Sequence, residues 1–216
     1  MELYGEQFYD VIREGTRTSA AVIAPLVLDA FGSRRVRSLI DVGCGEGWWA
    51  SEFHSLGVEE VVGVDGHFGP APAVDDYRQG DLSTGLIPAI GRFDVALCLE
   101  VAEHLPPQAG DTLVDELCRL APVVVWSAAI PGQGGAGHVN EQWPSYWIER
   151  FERLGYAASG ALRFAVWDDE RVENWYRQNL LVMAQEPTEL PSLFDSPLAP
   201  PWPLVHPVLY DFVRPQ

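Results

Sequence analysis

The stretch that decides the fold is DVGCGEG, residues 41–47. It follows an apolar run over residues 36–42 that predicts a strand, and it precedes a predicted helix from Trp48 to about Leu56. Glycines let a backbone approach a ligand closely, and the first turn of a helix offers unpaired N–H groups. The stretch therefore predicts a ligand-binding turn, although an ordinary strand-to-helix turn uses the same residue types.

The alternation of strands and helices continues on both sides of this turn. A helix is predicted over 16–31, with further strands at 60–65, 77–81, 93–99, 122–128, 157–167 and 178–185 and helices at 108–120 and 144–154. The strand segments are apolar throughout rather than alternating, which is typical of a parallel sheet covered by helices on both faces. The pattern predicts a doubly wound α/β fold.

Composition excludes several classes of protein. The 216 residues carry a formal net charge of −17 with only 14 lysines and arginines, so a nucleic-acid partner is not expected. No apolar run approaches the roughly 20 residues that span a bilayer, so no membrane association is expected either. Three cysteines do not suit a disulfide framework, and the N-terminal residues lack the pattern of a signal peptide. These features favour a cytoplasmic location.

Residues 187–216 differ from the rest of the chain because they are rich in proline. Proline disfavours regular structure, so we predict no helices or strands here. Apolar side chains such as Leu193, Leu204 and Leu209 are interspersed with the prolines. We therefore predict a domain over residues 1–186 and a tail that docks on that domain or on the partner subunit of a homodimer. A free, disordered tail is the alternative.

The spacing of the glycines separates two kinds of nucleotide site. A dinucleotide-binding turn has the pattern G-x-G-x-x-G, whose third glycine would fall where this chain has Trp48. Here Asp41 is followed instead by Gly43, Gly45 and Gly47. This D-x-G-x-G-x-G pattern resembles the first motif of the class I S-adenosylmethionine-dependent methyltransferases. The resemblance implies that these four residues bind S-adenosylmethionine, and it leaves a nicotinamide-dependent oxidoreductase as the alternative.

Three later segments resemble the same family. Asp65 ends the second predicted strand, where the family uses an acidic residue to accept hydrogen bonds from both ribose hydroxyls. Asp81 and Leu82 resemble the loop that contacts the adenine. Residues 93–100 resemble the strand that ends beside the transferred methyl group, which places Glu100 in the cofactor pocket. The resemblance implies a seven-stranded, mostly parallel sheet with one antiparallel edge strand and helices on both faces.

Metal-binding residue types follow that strand. Glu100, Glu103 and His104 have the spacing E-x-x-E-H, which places them on one face if the segment turns helically. With His138, which follows the next predicted strand, they suit a divalent ion such as Mg²⁺ or Mn²⁺. The arrangement resembles metal-dependent O-methyltransferases, in which the ion lowers the pKa of the acceptor hydroxyl. Metal-free relatives share the spacing, so His104 and His138 acting as bases, or a structural role, are alternatives.

The histidines favour an oxygen acceptor, because a hydroxyl must lose its proton during methylation, whereas an amine needs only a neutral lone pair. Candidate acceptor-binding residues lie near the ends of predicted strands, where open α/β sheets bind ligands, and they are Trp126, Asn140, Trp143 and Tyr146. Their mixture of aromatic and hydrogen-bonding groups suits a small molecule such as a sugar or a phenol. The sequence thus predicts O-methylation of a small molecule, with a non-catalytic S-adenosylmethionine-binding protein as a further alternative.

Overall fold

The structure is a computed structural model of the 216-residue chain. It describes residues 6–66, 76–87, 90–196, 201 and 203–213, and within these ranges the side chains of residues 13–211.

One mixed sheet forms the centre of the described chain. Its strands are β1 (Ser38–Val42), β2 (Glu60–Asp65), β3 (Asp76–Gln79), β4 (Val95–Leu99), β5 (Val123–Ser127), β6 (Ala157–Ser159) and β7 (Leu181–Ala184). Within the described ranges these seven strands lie in the order β3-β2-β1-β4-β5-β7-β6. Strands β1 to β5 pair in parallel, whereas β7 runs antiparallel to both β5 and β6. The predicted fold class is confirmed, and the antiparallel strand lies between β5 and the edge strand β6.

Helices cover both faces of this sheet. They are α1 (Glu6–Ala30), α2 (Trp48–Ser55), α3 (Pro107–Leu120), α4 (Pro144–Arg153), α5 (Ala161–Ala165), α6 (Asn174–Asn179), α7 (Pro191–Phe194) and α8 (Pro207–Val213). Two buried clusters result, because successive side chains of a strand point to opposite faces. Leu39 and Leu97 pack with α1, α2 and α6, whereas their neighbours Ile40 and Cys98 pack with α3 and α4.

The segment after β6 corrects one prediction. Residues 157–167 were expected to form a single strand, but the strand ends at Ser159 and α5 follows. Leu162 and Val166 are both buried, and their spacing of four residues is that of one helix face. A short apolar run does not distinguish a buried strand from a buried helix, which explains the error.

The prediction that residues 187–216 lack regular structure is also wrong. A 3₁₀ turn begins at Pro187, and α7 and α8 begin at Pro191 and Pro207. Proline is well suited to the first position of a helix, since the N–H that it lacks would have no partner inside the helix. Leu193 and Leu209 are buried against the chain's own domain. Residues 197–200, 202 and 214–216 of the predicted tail lie outside the described residues.

The strand order places the functional residues. Strands β1 and β4 are neighbours in the sheet. From β1 the chain continues to β2 toward one edge, whereas from β4 it continues to β5 toward the other edge. Such a reversal in strand order opens a crevice at the carboxyl ends of the strands. The glycine turn follows β1 and Glu100 follows β4, so both lie at this crevice. No described helix is long and apolar enough to cross a membrane.

Candidate active site

The turn over residues 43–47 has positive φ angles at each of its three glycines. Gly43, Gly45 and Gly47 have φ values of 77°, 53° and 79°, in the left-handed region that side chains disfavour. The N–H groups of Gly43 and Cys44 both donate to the carbonyl of Val64, at 2.8 and 3.2 Å. These bonds tie the turn after β1 to the end of β2, and α2 begins directly after Gly47.

Two aspartates, Asp41 in β1 and Asp65 at the end of β2, lie next to this turn. The Asp65 carboxylate accepts a hydrogen bond from the N–H of Gly45 at 2.8 Å, so the predicted ribose-binding residue is fixed against the glycine turn. Asp41 is buried, and its Oδ2 has no partner among the described residues. Burial, and then the nearby charge of Asp65, raise the pKa of Asp41 to about 7, against the opposing effect of a hydrogen bond from the Ala50 backbone.

The predicted adenine-binding pair follows β3. Asp81 caps the 3₁₀ turn over residues 82–84, where its carboxylate accepts the N–H of Ser83 at 2.9 Å. This bonding lowers the pKa of Asp81. Leu82 is buried beside it.

Helix α1 supplies residues at the glycine turn that the sequence analysis did not identify. Arg13 donates two hydrogen bonds to the carboxylate of Glu46, from Nε at 2.9 Å and from Nη2 at 2.6 Å. Glu46 also accepts a hydrogen bond from the indole of Trp48 at 3.0 Å. The guanidinium of Arg17 lies 4.8 Å from the Trp48 ring centre, a cation–π contact. The helical pattern of α1 predicts a helix but carries no signal for these contacts, which join residues far apart in the sequence.

Glu100 has an unusual backbone conformation. It is the only non-glycine residue in the described chain with a positive φ, 56°. Its carboxylate accepts hydrogen bonds from Asn179 Nδ2 at 3.1 Å and from Gln133 Nε2 at 3.3 Å. Such a conformation persists only where surrounding contacts hold it. Gln133 and Asn179, which sequence analysis missed, provide those contacts from the loop after β5 and from α6.

Three of the predicted metal ligands lie together. Ligand atoms of Glu103, His104 and His138 all lie within 4.8 Å of one another. The two imidazole rings are perpendicular, with centres 4.8 Å apart. The fourth predicted ligand, Glu100, is not part of this group of ligand atoms; its carboxylate accepts hydrogen bonds from Asn179 and Gln133 and also lies within hydrogen-bond range of Glu103.

The electrostatics of the cluster follow from burial. Glu103 is completely buried, and neither carboxylate oxygen has a hydrogen-bond partner of good geometry among the described residues. Burial and then the Glu100 charge raise the pKa of Glu103 well above its ordinary value, which outweighs the nearby backbone N–H groups of Glu103 and Ala129. Burial and the neighbouring His138 lower the pKa of His104 to about 4, although its bond to the Gly137 carbonyl opposes this shift.

Glu141, which the sequence analysis also did not assign to the site, contacts the cluster from outside. Its carboxylate lies 2.9 Å from Nδ1 of His138 and accepts the backbone N–H groups of Gly132 and Gly134, both at 2.7 Å. Burial alone would raise the pKa of Glu141, but these contacts outweigh it and lower the pKa. The only signal in the sequence is that Glu141 lies three residues after His138.

One cavity of about 650 Å³ joins these groups. Gly43, Gly45, Asp65, Asp81 and Leu82 line it near the glycine turn. Toward β4 and β5 it is lined by residues that include Glu100, Glu103, His104, Gln133 and His138. Of the predicted cofactor-binding residues, Asp41 and Gly47 do not line the cavity. The volume is in the range of sites that hold a cofactor-sized ligand.

The four predicted acceptor-binding residues do not line this cavity. Trp126 is buried on the face of the sheet that packs with α3 and α4, and its ring centre lies 5.1 Å from that of Trp147. Asn140 is buried and donates to the carbonyl of Ala102 at 3.3 Å. Trp143 is 44% exposed at the start of α4, and Tyr146 donates to Asp111 at 3.2 Å. Their residue types suit ligand binding, but Trp126, Asn140 and Tyr146 contact other residues of the chain, and Trp143 lies at the surface.

Comparison with known proteins also points to methyl transfer. A family model described as a methyltransferase domain matches residues 15–159. This match favours methyl transfer over the oxidoreductase alternative. No curated protein sequence matches the chain.

Solved structures of low sequence identity share the fold. An S-adenosylmethionine-bound amino pentose methyltransferase from Micromonospora echinaspora is 18% identical, with a TM-score of 0.58 over 86% of this chain and 99% of that chain. A magnesium protoporphyrin IX methyltransferase from Synechocystis with bound S-adenosylmethionine is 16% identical, with a TM-score of 0.56 over 85% and 88%. A methyltransferase from Archaeoglobus fulgidus is 18% identical, with a TM-score of 0.56 over 83% and 99%. Together with the family match, the glycine turn and the sheet order, this likeness leads to one conclusion: the chain belongs to the methyltransferase domain family and has the class I methyltransferase fold.

Proposed function

We propose that this protein transfers the methyl group of S-adenosylmethionine to a hydroxyl of a small molecule. One observation carries the proposal: a single cavity is lined by the glycine turn and Asp65 at one end and by Glu103, His104 and His138 at the other. The first end has the features of a nucleoside site. The second end has side chains that can accept the proton of a hydroxyl or hold an ion that lowers the pKa of that hydroxyl.

The residues near the glycine turn fit the cofactor. The turn presents backbone without side chains, and Asp65 and Asp81 line the cavity beside it. The described lining holds five carboxyl groups and one cationic side chain, Arg13, which is paired with Glu46, so Asp65 and Asp81 contribute uncompensated negative charge near the glycine turn. A negative cavity of this kind stabilises a positively charged sulfonium ligand. S-adenosylmethionine, when bound, supplies a methyl group on a cationic sulfur, which is a strong electrophile.

The cluster at the other end fits a divalent cation. A completely buried carboxylate such as Glu103, which has no hydrogen bond of good geometry and lies beside the carboxyl of Glu100, is costly unless a cation or proton neutralises it. An oxygen engages each imidazole from outside the cluster, at Gly137 for His104 and at Glu141 for His138, and metal-binding histidines commonly have such oxygen partners. Two imidazoles with one carboxylate suit Mn²⁺, Co²⁺ or Zn²⁺ better than Mg²⁺. Such an ion lowers the pKa of a hydroxyl that binds to it.

The remaining work belongs to the chain itself. The glycine turn and Asp65 orient the methyl donor, and the walls of the cavity exclude water and align the acceptor. Leu105, Pro106 and Ala136 line the wall beside the cluster, and this apolar surface suits an uncharged acceptor. In the alternative without a metal, His104 or His138 would accept the hydroxyl proton directly; the lowered pKa of His104 makes it a weaker base than an ordinary imidazole.

Calorimetric titration tests the cofactor assignment. We expect S-adenosylhomocysteine to bind and NADH not to bind, and we expect Asp65→Ala to weaken binding at least tenfold. Asp29→Ala removes an exposed carboxylate on α1 and serves as the matched control, with unchanged affinity. Equal affinity of wild type and Asp65→Ala would remove Asp65 from the site, and binding of NADH alone would overturn the proposal.

Product analysis by mass spectrometry tests the acceptor. The purified protein is incubated with S-adenosylmethionine and matched panels of hydroxyl and amine compounds, with and without a chelator. Methylation of hydroxyl compounds that stops in chelator and returns with Mn²⁺ is the expected result. Unchanged activity in chelator would favour the histidine-base alternative, methylation of amines alone would exclude the oxygen acceptor, and binding without any turnover would indicate a non-catalytic protein.

A further inference from the structure

Glu141 connects two structures that are separate in the sequence. Its Oε1 contacts both Nδ1 of His138 and the N–H of Gly134, and its Oε2 accepts the N–H of Gly132. One carboxylate thus holds the glycine-rich loop over residues 131–137 and the ring of His138 at the same time. Glu141 itself does not line the cavity.

The contact with Glu141 determines the protonation of the ring. An ionised carboxylate only accepts hydrogen bonds, so the nitrogen that faces it, Nδ1 of His138, must carry a hydrogen. In the neutral imidazole the lone pair then resides on Nε2. The ring also lies against backbone, because a Cβ atom at Gly135 would be 2.3 Å from Nε2.

The backbone beside His138 is joined to the rest of the cluster. The N–H groups of Val139 and Asn140 both donate to the carbonyl of Glu103, at 2.8 and 3.0 Å. The chain on one side of His138 is therefore fixed to the residue that supplies the buried carboxylate. Glu141 contacts the ring itself, so both the backbone next to His138 and its imidazole are held by hydrogen-bond partners.

We propose that Glu141 is the positioning residue of this site, which holds His138 as its Nδ1–H tautomer and couples the order of the loop over residues 131–137 to the cluster of Glu103, His104 and His138. The inference rests on the proposed function, in which that cluster binds a divalent cation. Carboxylate partners of this kind commonly change metal affinity by about 10- to 100-fold when they are removed.

The first measurement does not need a metal. Long-range ¹H–¹⁵N correlation spectra of the metal-free protein report the tautomer of each histidine, and a His138→Gln spectrum assigns the signal. We expect the Nδ1–H tautomer in the wild type and a mixture or the other tautomer in Glu141→Ala. Hydrogen exchange of the amides over 131–137 should be faster in Glu141→Ala. A wild-type ring with its hydrogen on Nε2, or a ring unchanged in Glu141→Ala, would overturn the inference.

The second measurement titrates Mn²⁺ and Zn²⁺ into each protein by calorimetry. We expect affinity to fall about 10- to 100-fold in Glu141→Ala. A smaller loss is expected in Glu141→Gln, whose amide oxygen can still accept from His138 and Gly134. Glu152→Gln, an exposed change on α4, should match the wild type. If the wild type binds neither ion, the metal proposal fails while the tautomer result still decides the role of Glu141; if it binds an ion and Glu141→Ala binds it equally well, the role of Glu141 fails alone.

Discussion

Gly43 lies directly against Val101: a Cβ atom built on Gly43 would be 2.3 Å from Cγ2 of Val101. The turn after β1 therefore touches the segment after β4, and the two sides of the crevice meet at a point where there is no room for a side chain. Gly43 also has a φ of 77°, so both the space and the backbone conformation require glycine.

Gly43→Ala should lower both stability and cofactor affinity. The left-handed conformation alone costs about 1–2 kcal/mol for a residue with a Cβ, and the contact with Val101 adds to that cost. Gly57→Ala is the matched control, because Gly57 has a φ of 95° with open space around it and so carries the conformational cost alone. Urea denaturation and titration with S-adenosylhomocysteine measure the two effects. Adding Val101→Ala should restore part of the loss, and equal losses in Gly43→Ala and Gly57→Ala would contradict the steric argument.

Asp41 should make the protein less stable as the pH rises from about 4 to about 7. Its pKa is raised from 3.8 to about 7 in the folded chain, so between these values the unfolded chain releases a proton that the folded chain keeps. The free energy of unfolding then falls by at most about 1.4 kcal/mol per pH unit and levels off above pH 7. The neighbouring titratable groups are the carboxyl of Asp65 and the thiols of Cys44 and Cys98.

Asp41→Asn tests this relation, because an amide oxygen can still accept the N–H of Ala50 while the titrating group is gone. The contribution of Asp41 to the pH dependence should be absent in urea denaturation from pH 4 to pH 8, so that the variant gains stability relative to wild type toward neutral pH. Asp115→Asn replaces an exposed carboxyl on α3 and should leave the wild-type profile unchanged. Parallel profiles for wild type and Asp41→Asn would show that this carboxyl is not the source.

Glu103→Gln should abolish stabilisation by metal without unfolding the protein. A ligand present at about 100 times its Kd stabilises the folded state by about 2.7 kcal/mol, so saturating Mn²⁺ or Zn²⁺ should raise the wild-type Tm. The amide is neutral and similar in shape, so the metal-free variant should melt at or above the temperature of the metal-free wild type. Glu116→Gln, on the outer face of α3, should respond to metal as the wild type does. A metal-induced shift that survives in Glu103→Gln would exclude this carboxylate as a ligand.

Gln178→Ala should loosen the C-terminal segment. The side chain of Gln178 is buried, donates to the carbonyl of Leu204 at 2.8 Å and accepts the N–H of His206 at 2.5 Å. Its removal takes the partner from the buried N–H of His206 and breaks the part-buried bond to Leu204, so we expect a loss of about 1–3 kcal/mol in the free energy of unfolding. Proteolysis should then cut within residues 203–213 sooner. Gln185→Ala, at an exposed position, should change neither quantity, and resistance equal to wild type in Gln178→Ala would mean that other contacts hold this segment.

The sequence predicted the sheet and the glycine turn because both depend on local features. Apolar runs mark β1, β2, β4 and β5, and the glycines at 43, 45 and 47 are required by the φ values of single residues. The prediction failed after β6, where the apolar run continues into α5, and in the tail, where prolines begin helices rather than prevent them. In both places the secondary structure depended on which surface of the folded domain was available for the segment to pack against.

The candidate site was predicted in part for the same reason. The close spacing of Glu103 and His104 identified two members of the cluster, and the position of His138 after β5 identified the third. Residue type alone suggested Trp126 and Asn140 as acceptor-binding residues, but both are buried and neither lines the cavity, since whether such a side chain faces a cavity or the core depends on the register of its strand or loop. Gln133, Asn179 and Glu141 were missed because amide and carboxylate side chains in loops and helices are usually solvated surface groups.

By itself, the sequence determined the order of strands and helices, the bare backbone after β1 and the residue types gathered at the carboxyl ends of the strands, because hydrophobic periodicity and glycine conformation act over a few neighbouring residues. Only the tertiary structure decided that Glu100 turns to Asn179 rather than to the histidines, that Arg13 reaches Glu46, and that Glu141 holds His138. These contacts join segments separated by a strand, a helix or a loop, so their geometry exists only when the whole sheet has brought those segments together.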